Sequence, residues 1–129
     1  MTKVTWKPGT LMAPLPAVLV SCGTMEKANV FTVAWTGIIN THPTMVYISV
    51  RPSRHSYEII RRSGEFVINL TTSAMAHSVD FCGVRSGSKI DKIEKCGFHK
   101  EKASKVEAPV ISESPLSLEC KVTEVKHLG

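Results

Sequence analysis

No apolar run in the sequence reaches the about 18 residues of a membrane-spanning helix, and there is no heptad or longer repeat. Glycine and proline, eight and seven residues, are scattered, which excludes a collagen-like chain. Aromatic residues are few: four Phe, two Trp and two Tyr, most of them inside apolar runs. That leaves no row of exposed rings for stacking nucleic-acid bases. Charged residues make up only 21% against 43% hydrophobic, a balance that excludes disorder. The four cysteines, Cys22, Cys82, Cys96 and Cys120, contain no C-x-x-C pair. Each stands alone among apolar or turn residues, as a small buried hydrophobe does, and the pattern predicts a reduced, cytoplasmic chain. Cys96 and His99 lack a second ligand pair, so no zinc site is expected. The histidines at 42, 55, 77, 99 and 127 have no metal spacing, and His77, near Asp80, reads as a surface residue rather than a base. There is no G-x-S-x-G elbow and no G-x-G-x-x-G after a strand. Gly83 to Lys89 has the look of a phosphate loop, but Lys89 does not directly follow its glycine.

What is present is enough for one domain with a real core. A 129-residue chain buries roughly two-thirds of its unfolded surface. The net charge is +5 and the isoelectric point about 9.2, so an anionic partner is worth seeking: nucleic acid, an anionic membrane surface or a phosphorylated small molecule. Basic residues cluster at Lys89, Lys92, Lys95 and at Lys100, Lys102, Lys105, but Asp91, Glu94, Glu101 and Glu107 interleave with them, as on a solvated face. Lys3 and Lys7 ahead of Leu11 to Val20 loosely resemble an export signal. Pro14 and Pro16 interrupt that stretch, and its end reads better as a strand.

The pattern predicts strands over 17–22, 30–35, 45–50, 65–70 and 116–125. Residues 23–29 read as a hairpin turn and 37–43 as a connecting loop. Met45 to Val50 is a near-continuous apolar run, expected to be buried on both faces. Leu116, Leu118, Cys120 and Val122 alternate with polar residues, as on a half-exposed strand. Short helices are expected from Tyr57 to a stop at Gly64, over 73–81 with an end at Gly83, and over 89–96, where Ser88 and Asp91 fit a capping box and Gly97 a stop. Residues 98–115 read mostly as loop. Strands do not alternate regularly with long helices, so a mainly antiparallel β-barrel with short helices on its rim fits better than a doubly wound sheet.

Anion binding has the best seat. Arg51 ends a strand, and Ser53, Arg54 and Ser56 follow at a helix start. Free amides, the positive end of the dipole and charge-assisted arginine bonds all favour a phosphate there. The bland alternative is a serine N-cap with solvated arginines. Cys82 to Lys92 is a second candidate wall: its glycines allow close backbone approach, and Lys89 and Lys92 offer point charges, unless this is only a flexible loop and an exposed basic helix. Thr32 to Gly37 is a third, where Trp35, Thr36 and Gly37 could face a flat heterocycle or simply pack.

These residues also carry a family likeness. The segments Asn29 to Gly37, Tyr47 to Tyr57, Gly64 to Leu70, Asp80 to Gly83, Ser86-Gly87, Asp91-Lys92 and Leu118 to Val122 resemble, in order, flavin reductase-like, flavoredoxin-type proteins. The likeness runs from about Pro16 to Gly129. It implies an FMN-binding split β-barrel of Greek-key-like antiparallel strands, one domain over 1–129 lacking its C-terminal strands, and a homodimer. By the same likeness Ala34, Trp35, Thr36 and Gly37 would line the isoalloxazine. Ser49, Val50 and Arg51 would run beneath the ring and ribityl chain. Ser53, Arg54 and Ser56 would hold the phosphate, and Cys82, Gly83 and Lys92 would close the other side. The implied activity is electron transfer from NAD(P)H through FMN to free flavin, an iron chelate or an electron-acceptor protein. The alternatives are a flavoredoxin-type carrier with no NAD(P)H oxidation of its own and a basic barrel that binds nucleic acid. Neither nucleic acid nor membrane is expected as a partner.

Overall fold

A computed structural model describes all residues, Met1–Gly129. Its centre is a four-stranded antiparallel sheet in the order β2-β1-β5-β8, formed by β1 (Val18–Gly23), β2 (Ala28–Val33), β5 (Glu65–Asn69) and β8 (Ser117–Lys121). β3 (Thr36–Asn40) and β4 (Met45–Ile48) form a separate two-stranded ribbon. β6 (Lys100–Glu101) and β7 (Val110–Ile111) make a second, very short one. The chain is mainly β and antiparallel with a few short helices, as the sequence predicts; the helices lie against the sheet, with Val79, Cys82 and Ile93 packed on Leu19 and Val30.

The two-residue period of a strand divides the core. Along β1, Val18, Val20 and Cys22 face one apolar cluster with Phe31, Val33, Phe66 and Ile68, while Leu19 faces another with Val30, Met75, Val79, Cys82 and Ile93. So β1 is buried on both faces, as is β5, where Phe66 and Ile68 join the first cluster and Val67 and Asn69 are buried on the other side. Met45 to Val50 is not: Val46, Ile48 and Val50 pack on the first cluster, but Tyr47 on the opposite side is 43% exposed. An apolar run alone does not reveal how many of its faces are covered.

Three further boundaries differ from expectation. Residues 37–43 are not a plain loop; Thr36–Asn40 is strand, bulged between Ile38 and Asn40. α2 (Ala76–Val84) follows a 3₁₀ turn, Ser73–Met75, and runs through Gly83 instead of ending there: Gly83 does not take the positive φ of a glycine stop, and it packs against the Thr32 side chain, 3.4 Å from where a Cβ would sit. α3 (Lys92–Lys95) is a single turn. Its N-cap is Asp91, whose carboxylate accepts from the Glu94 amide at 3.2 Å; Ser88 lies outside the helix. α1 (His55–Ser63) stops as read: Gly64 adopts φ 68° and its N–H closes on the Ile60 carbonyl.

Residues 98–115 are mostly loop, yet they cover a face of the sheet, burying Ala103, Val106, Ala108 and Ile111. Asn69 pins them there. Its Nδ2 donates to the Leu19 carbonyl and to Ser21 Oγ, each at 3.0 Å, and its Oδ1 accepts from the Ile111 amide at 3.1 Å and Ser117 Oγ at 2.8 Å.

Candidate functional site

The Arg51–Arg54 turn, closed by the Arg54 amide on the Arg51 carbonyl at 3.0 Å, carries the chain from β4 into α1. Arg54 is the N-cap residue, in extended conformation (φ −70°, ψ 137°), and no side chain caps the helix. The amides of His55 and Ser56 make no hydrogen bond within the chain; the first amide that does is Tyr57, on the Arg54 carbonyl. These open donors face a cleft of about 210 Å³, whose lining includes Ser53, Arg54, Ser56, Arg85, Ser86 and Lys92. No carboxylate lines it. An uncapped helix start among three cations is an anion site by electrostatics alone.

The cations are held, not trailing. Arg54 is half-buried and its Nη1 donates to the Gly83 carbonyl at 3.2 Å, which leaves most of its five donors free. Lys92 is 2% exposed. Its Nζ donates to the carbonyls of Cys82 at 3.1 Å and Arg85 at 3.0 Å, at the C-terminal end of α2, where a positive charge complements the dipole. One of its three donors remains. Burial holds the Lys92 amine below the usual lysine range, and the positive Arg54 pushes the same way. Ser56 is buried, its Oγ accepts from Asn29 Nδ2 at 2.6 Å, and its hydroxyl also lies beside the Cys22 thiol. Gly87 lies directly on Asn29; a Cβ there would stand 2.1 Å from Oδ1, so only glycine brings this loop down onto the strand. Arg85 lies at the rim, stacked over the Phe81 ring at 5.8 Å.

The structure thus brings Ser53, Arg54, Ser56 and Lys92 to one cleft. Gly83 joins through its carbonyl. Cys82 does so only through its carbonyl as well, and its side chain corrects the expectation: the thiol is fully buried in the apolar cluster beneath α2, with Sγ 3.8 Å from Cys96 Sγ. Lys92 corrects another, for it is not part of an exposed basic helix. The remaining predicted residues form a second group. Ser49 donates its amide to the Trp35 carbonyl at 2.8 Å, Thr36 Oγ1 donates to the Tyr47 carbonyl at 2.8 Å, and Gly37 lies under the Tyr47 ring. Ala34 is half-buried, Trp35 is 44% exposed, Val50 packs on the core and Arg51 is exposed. None of this second group lines the cleft. It is continuous with the cleft through the Arg51–Arg54 turn. Asn29, Phe31, His55, Arg85 and Gly87 line the cleft without having been singled out. Only Gly87 carried a signal, as a glycine between two serines; Asn29 reads as the end of a turn, whereas it is in β2, opposite Cys22.

Comparison with known proteins adds to this geometry. The family model described as "Flavin reductase like domain" matches residues 11–129. A relative from Archaeoglobus fulgidus is 32% identical over 116 residues, covering 90% of this chain; the chain spans 65% of that relative's length. The solved structure of the flavoredoxin of Desulfovibrio vulgaris (Miyazaki F) superposes with a TM-score of 0.91 at 28% identity, over 98% of this chain and 70% of that one. An FMN-binding domain of a flavin reductases-like enzyme from Shewanella baltica OS155 superposes with a TM-score of 0.77 at 26% identity, over 82% of this chain and 56% of that one. The fold is the split β-barrel of these neighbours.

Proposed function

Because the chain belongs to the flavin reductase-like domain family, we propose that the cleft beneath α1 takes the phosphate of FMN and that the protein is a flavin-dependent oxidoreductase. The observation that carries this reading is the uncapped start of α1, with two open amides among Arg54, Arg85 and Lys92 and no carboxylate. The cleft fits a phosphate: two backbone amides, most of the Arg54 donors and one Lys92 donor remain free, and its charge is positive. Ser53, Arg54 and Ser56 would bind the phosphate oxygens. Lys92 would add one donor and hold the opposite wall by its two carbonyl bonds. Trp35, Thr36, Gly37 and Ser49, at the foot of the ribbon, would border the flat end of the ligand, with Val50 and Arg51 spanning between. When bound, FMN supplies the redox chemistry, accepting a hydride and releasing electrons singly or in pairs. The protein's part is to position and to anchor, which agrees with a cleft that holds no acid–base pair.

In this reading electrons come from NAD(P)H and pass to free flavin, an iron chelate or an electron-acceptor protein. A homodimer is supported by the ribbon, where Ile38 and Ile39 are 81% and 59% exposed beside Trp35 and Tyr47. The likeness to a flavoredoxin favours a second reading, an electron carrier without NAD(P)H oxidation of its own. Titrating the protein into FMN should quench flavin fluorescence to saturation, and inorganic phosphate should compete. Unquenched flavin at excess protein overturns the assignment. Anaerobic mixing of the loaded protein with NADPH or NADH then separates the two readings: rapid bleaching marks a reductase, and persistence of the oxidised spectrum a carrier.

A further inference from the structure

Two thiols stand immediately behind the cleft wall and take no part in holding an anion. Cys82, on the inward side of α2, and Cys96, directly after α3, place their Sγ atoms 3.8 Å apart against one apolar cluster. The other two cysteines are placed differently: Cys22 lies inside β1 with Sγ toward the Asn29 carbonyl, and Cys120 lies on β8. Cys82 is fully buried, whereas Cys96 is partly exposed. The chain between them, residues 83–95, contributes Arg85, Ser86, Gly87 and Lys92 to the cleft. Its stretch from Val84 to Lys89 is mostly exposed, and the Ser86 and Ser88 hydroxyls bond each other.

We propose that Cys82 and Cys96 form a reversible disulfide, made by exchange with a low-molecular-weight organic disulfide, which staples this cleft wall. The Cys96 thiolate attacks one sulfur of the small disulfide and releases one small thiolate, leaving a mixed disulfide on Cys96. The Cys82 thiolate then attacks Cys96 Sγ and displaces the second. The protein dithiol is oxidised by two electrons and loses two protons, and the small disulfide leaves as two thiols. Exposure fixes the order, since Cys96 is the sulfur a solute can reach. Burial, with the neighbouring Cys96 adding to it, raises the Cys82 thiol to about 12, so little of it is thiolate at mildly alkaline pH and the second step is the slower one; the adjacent Lys92 ammonium opposes that rise. Closing the gap to the about 2.05 Å of a disulfide requires side-chain rotation, which a one-turn helix and an exposed loop can absorb. The ring so closed removes conformational freedom from the loop, and formation of the link does not depend on the FMN reading.

The test treats the full chain with oxidised glutathione at mildly alkaline pH, alkylates the denatured product and maps peptides without reduction. Free thiols should fall from four to two, with Cys82 linked to Cys96, and dithiothreitol should restore all four. Amide hydrogen exchange over residues 84–91 should slow in the oxidised protein and stay unchanged in similarly treated Cys96→Ser. Cys82→Ser should keep glutathione on Cys96. The proposal fails if wild-type Cys96 retains glutathione unresolved, if the link involves Cys22 or Cys120, if Cys82→Ser takes up no glutathione, or if loop exchange is the same in both redox states.

Discussion

In the cleft, each buried polar side chain is held by a partner from another element: Asn29 of β2 on Ser56 of α1, Lys92 of α3 on two carbonyls at the end of α2, Arg54 on Gly83. In the β3–β4 ribbon the bonds stay local. Thr36 bonds Tyr47 across two strands, Ser49 bonds Trp35 at their foot, and the apolar residues Ile38, Ile39 and Tyr47 point outward. The first region is preformed, with its donors fixed by the core. The second is a surface with several large apolar side chains exposed. A phosphate needs fixed donors at short range, whereas a flat ring needs area, so under the proposed function the two regions would serve the two ends of the flavin.

Breaking the first region should have the largest effect. Lys92→Met leaves the Cys82 and Arg85 carbonyls without their donor and should cost about 3 kcal/mol of stability, read by denaturant midpoint. Arg54→Ala should weaken FMN binding by about 2 kcal/mol, close to thirtyfold, in a fluorescence titration. Arg51→Ala, at an exposed residue outside the cleft, should weaken it less; the reverse ranking would move the phosphate site toward the ribbon.

Alkaline pH probes the same region by titration. Burial raises the Cys22 thiol from 9.0 to about 11. Its folded value lies above its unfolded one, so its contribution is complete below about pH 9 and is lost as pH rises toward 11, where the unfolded chain gives up its proton first. Cys82 acts in the same sense. Lys92, shifted downward, acts in the opposite one. Stability should therefore fall above pH 9, and Cys22→Ala should flatten that fall by roughly 1–2 kcal/mol in melts across the range. The smallest effect belongs to the ribbon: Trp35→Ala, at a half-exposed side chain, should shift stability by no more than about 0.5 kcal/mol while reducing the quenching of bound flavin. A large loss of stability instead would show that the ribbon is part of the core.

Much of the fold was legible before any coordinates. The strand at 65–69 and the stop at Gly64 followed from β-branched composition and from a glycine placed after two arginines. In the ribbon the strand at Met45–Ile48 was legible but its partner was not, because Gly37 and the Thr41–Thr44 turn weaken any strand signal, and Thr36–Asn40 becomes strand only by pairing with Met45–Ile48. In the site, Ser53 and Arg54 were legible as the polar start of a helix. Asn29 was not, since nothing local distinguishes a buried asparagine from a turn asparagine. Lys92 was legible as a candidate charge on the second wall, but its burial was not, because nothing local separates it from its exposed basic neighbours.

The sequence by itself determined the class of the molecule: apolar alternation and short, punctuated segments allow little besides a small antiparallel β domain with short helices, and the ordered motifs carry its family. Only the tertiary structure decided which lysine is buried, which cysteines meet and which amides stay open. Those are outcomes of contacts between residues far apart in the chain, such as Asn29 with Ser56 and Cys82 with Cys96, and local propensity carries no information about them.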